Sequence, residues 1–218
     1  MDAPTDESPT TRPGGAMART LEALKALIAS GQLSPGEQIR QEEMAEKLKV
    51  SRVPLREAMN VLAHQGMLQH RPNQGYFVTK RSLAERAQIS RMLHLLENEL
   101  ITSIEWPDEP TLARLEALNA EMRSFAGQAD PWPLIQLNRR FHFAIYDLSP
   151  HKLILEEVRR LWVLVEPLLW IKLEHPETRE RTLLEHDSLI AALRARDLAR
   201  CTEEMGLHRY PIPFRETA

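Results

Sequence analysis

The sequence predicts a mostly α-helical protein. An N-terminal winged helix-turn-helix (three helices plus a small β-hairpin) is followed by an all-α antiparallel bundle of about six helices. Three observations carry this. Apolar residues recur at helical spacing over most of the 218 residues. The stretch with hairpin character, residues 68–79, is punctuated by turn residues, and beyond it the strand signal disappears. The charge is also uneven. Residues 47–81 hold Lys47, Lys49, Arg52, Arg56, Arg71, Lys80 and Arg81 against a single acid, Glu57, whereas residues 81–218 hold 18 basic and 22 acidic residues. A basic block inside a chain of net charge −3 is the footprint of a module that meets an anionic partner.

Residues 1–16, with Pro4, Pro9, Pro13, Gly14 and Gly15 and no apolar period, read as a disordered tail. The winged domain spans 17–80. Its first helix, Met17 to Ser30, carries Leu21, Leu24, Leu27 and Ile28, and Gly31, Pro35 and Gly36 end it. A short helix over 41–48 follows. The third opens at Ser51, a residue able to cap it, with Pro54 in the first turn where a missing N–H costs little. Gly66 stops that helix. Leu68–His70 and Tyr76–Thr79 then flank the turn Arg71-Pro72-Asn73-Gln74-Gly75.

The helical domain spans 81–212. Ser82 and Glu85 form a capping box for a long helix with Ile89, Leu93, Leu96, Leu100 and Ile104 on one stripe. Further helices are expected at 111–126, 131–148, 150–173, 178–195 and 197–209. Asp130-Pro131 and Ser149-Pro150 supply two starts, and Pro167 is expected to kink the helix over 150–173.

Several classes are excluded. A single cysteine, Cys201, permits no intrachain disulfide. The acidic N-terminus has no apolar run behind it and is not a signal peptide. The longest apolar run, Leu161–Ile171, is too short for a membrane span and contains Glu166 and Pro167. The chain is therefore expected in the cytoplasm. It shows no nucleophile elbow, P-loop or paired catalytic carboxylates, so no enzymatic activity is expected.

The three short helices and hairpin suit DNA. Arg52 and Arg56 are four residues apart and project from one face of a helix that would enter the major groove N-terminus first. Each guanidinium can make a bidentate contact to guanine, whereas the bland alternative is a solvated face with Glu57 as ion partner. The ordered string Leu33-Ser34-Pro35-Gly36-Glu37-Gln38-Ile39, Met44-Ala45-Glu46-Lys47-Leu48, Val50 to Met59, then Gly66-Met67-Leu68 and Arg71 to Val78 resembles the N-terminal domain of GntR-family transcriptional regulators. That resemblance implies a sequence-specific DNA-binding regulator contacting duplex DNA through Arg40, Lys49, Ser51, Arg52, Pro54, Arg56 and the wing residues Asn73, Gln74 and Gly75. Gln74 departs from the family, whose wing tip usually carries a basic residue.

In the helical half, Asn138 and His142 share a helix face, and His186 and His208 lie further on. Metal ligands or ordinary hydrogen-bonded histidines are both compatible with this spacing. Asn138-Arg139-Arg140-Phe141-His142, Leu153-Ile154, Glu185-His186, Ala191, Leu193, Asp197, Ala199, Met205 and His208 resemble the FCD effector-binding domain of the FadR subfamily. The resemblance implies that Asn138, His142, His186 and His208 hold one divalent metal, zinc foremost with nickel or manganese as options. It also implies a small effector, with an organic acid as one option, and most often a repressor. Leu93 stands where relatives carry an arginine that contacts the effector. Trp132, Trp162, Trp170 and Phe141 are expected in the core, and Glu185, adjacent to His186, is expected to point to another side of its helix. A homodimer on a short inverted repeat completes the expectation. The competing readings are a helical metal-dependent enzyme fused to a DNA-binding module, and a constitutive DNA-binding dimer with structural histidines.

Overall fold

A computed structural model of the chain describes residues 13–208. Backbone contacts divide it after Lys80 into two compact units.

The first unit runs α1 (Pro13–Ala29), β1 (Gln38–Ile39), α2 (Gln41–Leu48), α3 (Arg52–His64), β2 (Leu68–Arg71) and β3 (Gly75–Val78). The tail expected over 1–16 lies outside the described residues up to 12, and over 13–16 it is overturned, because α1 begins at Pro13. Proline at a first helical position gives up only a donor that the helix has no carbonyl to receive. A strand the sequence did not reveal, β1, pairs antiparallel with β3, Gln38 opposite Phe77 and Ile39 opposite Tyr76, giving the order β1-β3-β2. Two residues are too few to display an alternating pattern. Asn73 (φ 60°) and Gly75 (φ 90°) turn the β2–β3 hairpin, and Gly66 (φ 79°) ends the segment after α3 in the left-handed conformation that glycine adopts freely. Leu24, Leu55, Met59 and Leu62 are wholly buried and, with Ile39, Met67, Leu68, Tyr76 and Val78, form this unit's core.

The second unit contains α4 (Leu83–Thr102), α5 (Glu109–Phe125), α6 (Trp132–Tyr146), α7 (Lys152–Leu173), α8 (Pro176–Ala195) and α9 (Leu198–His208). The capping box forms as expected: Ser82 Oγ accepts the Glu85 N–H and the Glu85 carboxylate accepts the Ser82 N–H at 2.8 Å. Ile89, Leu93 and Leu100 are buried and Leu96 packs against the core, but Ile104 falls beyond the end of α4. Pro131 and Pro150 precede their helices rather than opening them. Asp130 instead accepts the Trp132 N–H at 2.9 Å and Ser149 Oγ the His151 N–H at 3.1 Å, so each polar side chain caps a turn ahead of the helix proper. Helix α7 continues through Pro167, leaving the Val163 carbonyl without an i+4 amide donor. Helix α5 packs on α6 and α8, α4 on α7, and α8 on α9.

Arg179 on α8 is buried and joins two helix ends. Its guanidinium donates to the Leu173 and Glu174 carbonyls at the end of α7 and to the Ala126 and Gln128 carbonyls after α5. These are carbonyls that a helix C-terminus leaves without intrahelical partners, and a cation there also meets the negative end of the helix dipole.

Candidate DNA-binding face and histidine centre

In the first unit, Ser51 begins α3 with extended backbone, but its side chain makes no capping hydrogen bond. Arg52, Arg56, Lys49 and Ser51 are exposed around that helix start, with Pro54 half-buried as its third residue. Arg40 precedes α2, and Asn73, Gln74 and Gly75 form the hairpin tip, which Gln38 Nε2 holds by donating to the Gln74 carbonyl at 2.6 Å. The ion partner of Arg52 is Glu42 on α2, Nη2 to Oε1 2.8 Å, and not Glu57; Arg40 likewise pairs with Glu43 at 3.0 Å. Sequence reading missed Glu42 because the α2–α3 turn, not proximity along the chain, brings it to Arg52. Val53, 67% exposed beside Arg52, is an apolar side chain on the first turn of α3. Arg56, Asn60, His64, His70 and Tyr76 line a groove of about 370 Å³ between α3 and the hairpin. Tyr76 closes it by donating its hydroxyl to Asn60 Oδ1.

In the second unit, α6 supplies His142, α8 supplies His186 and the last residue of α9 is His208. All three are buried, and one ligand nitrogen of each lies within 4.8 Å of the other two. The closest approach is His186 Nε2 to His208 Nε2, 3.1 Å. The outer nitrogens fix the tautomers. His186 Nδ1 lies 3.1 Å from Asn119 Oδ1, whose own Nδ2 donates to Asp187 Oδ1 at 2.6 Å and to the Leu183 carbonyl at 3.0 Å, so this oxygen is an acceptor. His208 Nδ1 lies 2.7 Å from Glu185 Oε2. Both Nδ1 atoms therefore carry the proton and both Nε2 atoms present lone pairs to each other.

Burial holds His186 well below the ordinary imidazole range, and His208, His142 and Lys172 add to the effect. Burial also lowers His208, against the opposing pull of Glu185. Burial pushes the Glu185 carboxyl up, but the His208 hydrogen bond and the nearby His208, Lys172 and Arg181 outweigh it, leaving the carboxyl below its usual range. The direction that follows for His186 and His208 is neutral imidazoles beside an ionised Glu185. Two lone pairs 3.1 Å apart in a dry site repel unless something electropositive lies between them.

Asn138 lies one turn before His142 on α6, fully buried, and neither its Oδ1 nor its Nδ2 has a hydrogen-bond partner. An orphaned buried amide one helical turn from His142, together with the three clustered imidazoles, suits a cation with mixed nitrogen and oxygen ligands. Phe141 belongs to the core, as expected, and also stacks on the His186 ring at 3.9 Å. Trp162 is 5.2 Å from the His142 ring and donates to the buried Glu97 at 2.6 Å, while Trp132 and Trp170 pack partly buried against the core. Glu185 does leave α8 on another side from His186, yet it reaches His208, so it orients a ring of the cluster. Arg139, next to Asn138 on α6, pairs with the buried Glu166 at 2.8 Å.

Among the described residues no helix is long and apolar enough to cross a membrane. Residues 17–78 match the model of the bacterial regulatory proteins of the gntR family, and residues 88–209 match the FCD domain. HTH-type transcriptional regulator McbR of Escherichia coli (strain K12) is 29% identical over 182 residues, 82% of each chain. HTH-type transcriptional repressor RspR of the same organism is 25% identical over 166 residues, 76% of this chain and 73% of that one. The solved structure of E. coli McbR/YncC superposes with a TM-score of 0.73 at 28% identity, covering 88% of this chain and 92% of that chain. These relatives are regulators of transcription and not enzymes. With the FCD match alone spanning more than half of its length, the chain belongs to the GntR family of bacterial transcriptional regulators, in the subfamily that joins the helix-turn-helix to an FCD domain.

Proposed function

We propose that the protein is a metabolite-responsive repressor that binds an inverted-repeat operator as a cytoplasmic homodimer and carries one divalent cation, zinc, at the histidine centre. The approach of His186 Nε2 to His208 Nε2, with both outer nitrogens committed to acceptors, carries the metal reading. His142, His186 and His208 would be its nitrogen ligands and Asn138 Oδ1 its oxygen donor. When bound, the ion supplies a Lewis-acidic position that an oxygen of a small effector, an organic acid, can join. The chain's own part is positional: Asn119 and Glu185 hold the rings, and Phe141 and Trp162 keep the site dry. Four ligands on α6, α8 and α9 tie these helices together, so occupancy favours one arrangement of the bundle over others.

On the DNA side, Arg52 and Arg56 read bases, with Val53 against a thymine methyl, while Arg40, Lys49, Ser51 and the hairpin tip hold phosphates. Pro54 fixes the first turn of α3. A two-fold dimer doubles the small number of base contacts one module can make, and the repressor named among the relatives supports that sign of regulation. The test is elemental analysis of untagged protein purified without chelator, followed by zinc titration of stripped protein. One equivalent of metal, a raised Tm, and loss of both in His186→Ala are expected. Stripped protein that gains no stability from zinc, nickel or manganese overturns the metal reading and leaves a DNA-binding regulator with structural histidines.

A further inference from the structure

The surface that faces DNA in this reading carries two acids, Glu42 and Glu43, in the first turn of α2. Facing a polyanion, a carboxylate costs affinity for every sequence alike. Glu43 pairs with Arg40, a residue of the preceding strand-to-helix turn. Glu42 is different, because it reaches across to the first residue of α3 and accepts from Arg52. We infer that Glu42 is a specificity-determining residue: it positions the Arg52 guanidinium for base reading and, by its charge, weakens binding to generic DNA. This inference rests on the DNA-binding reading of α3.

The form of the contact supports positioning rather than sequestration. It is a single bond, Nη2 to Oε1 at 2.8 Å, and a guanidinium has five N–H donors. Four remain, enough for the two-donor fork that guanine O6 and N7 accept. Arg52 and Glu42 side chains are 72% and 77% exposed, so in free protein the pair is worth little. Against a base edge, with water displaced, the same bond restricts a long side chain that would otherwise lose more rotamer freedom on binding. Both consequences act on discrimination in the same direction, lowering generic affinity while keeping cognate affinity.

The experiment compares the full-length wild type with Glu42→Ala, Arg52→Ala and the double variant. The probes are a duplex enriched from a random library by the wild type and a shuffled duplex of equal composition. Glu42→Ala is expected to bind the shuffled duplex a few-fold tighter and the selected duplex about fivefold weaker, cutting discrimination by roughly tenfold. In the Arg52→Ala background the same substitution is expected to tighten both probes equally. Thermal unfolding controls for folding, and alanine suits this exposed helical position. Equal tightening of both duplexes by Glu42→Ala in the wild-type background would overturn the inference and leave Glu42 as a generic repulsive charge. An Arg52→Ala variant with undiminished discrimination, or no enrichment by the wild type, instead overturns the placement of α3 on DNA, and the inference with it.

Discussion

His208 and Glu185 meet at 2.7 Å, Nδ1 to Oε2, across the α8–α9 pair, and this bond turns the His208 Nε2 lone pair toward His186. A ring held this way is a better ligand than a free one, since neither its tautomer nor its orientation has to be selected on metal binding. Glu185→Ala is expected to lower zinc affinity by about 10–100-fold in a chelator-competition titration. Arg181→Ala, which removes only the looser partner of Glu185 at 3.7 Å, is expected to leave it nearly unchanged. Equal affinities in wild type and Glu185→Ala would show that the carboxylate does not set the ring.

Asn138 gives a prediction of opposite signs in two states. Its unpartnered amide is a cost in metal-free protein, roughly 1–3 kcal/mol for a buried polar group without a bond. Asn138→Leu is therefore expected to raise the Tm of stripped protein and to shrink the further rise on adding zinc. Asn138→Asp is expected to tighten zinc, because a carboxylate binds a cation more strongly than an amide carbonyl. Calorimetric scans of the three proteins with and without zinc check both.

Arg179 ties the ends of α5 and α7 through four carbonyls. Arg179→Met keeps the apolar stem and removes the guanidinium, leaving those carbonyls short of donors. A loss of roughly 2–4 kcal/mol is expected, read as a lower urea midpoint at unchanged slope.

Lys49 closes α2 in the left-handed conformation, φ 52°, and is exposed beside the start of α3. Lys49→Gly is expected to raise stability by about 0.5–1 kcal/mol, since glycine adopts this backbone without steric cost. The same variant is expected to weaken selected and shuffled duplexes equally and to reduce the salt slope by about 1. Arg52→Ala, by contrast, is expected to cost roughly 1–3 kcal/mol on the selected duplex alone. Titrations at several salt concentrations separate the two behaviours.

The sequence by itself determined the order of the helices and of the β2–β3 hairpin, because helix and hairpin signals are local. The Ser82–Glu85 box opens α4 where the spacing places it, and Gly66 ends the segment after α3 as a residue free to take positive φ. The same local logic misplaced Pro131 and Pro150, since a polar side chain two residues upstream can close a turn before the helix begins. It could not show β1, whose two residues are a strand only by pairing with Tyr76 and Phe77. At the histidine centre, sequence and family resemblance together named the rings. The tertiary structure decided their partners: Asn119 is 67 residues from His186, and Glu185 23 from His208. Arg52 met Glu42 rather than Glu57 for the same reason. Contacts between elements depend on how each helix is rotated about its axis when the whole core packs, and no local window of sequence contains that rotation.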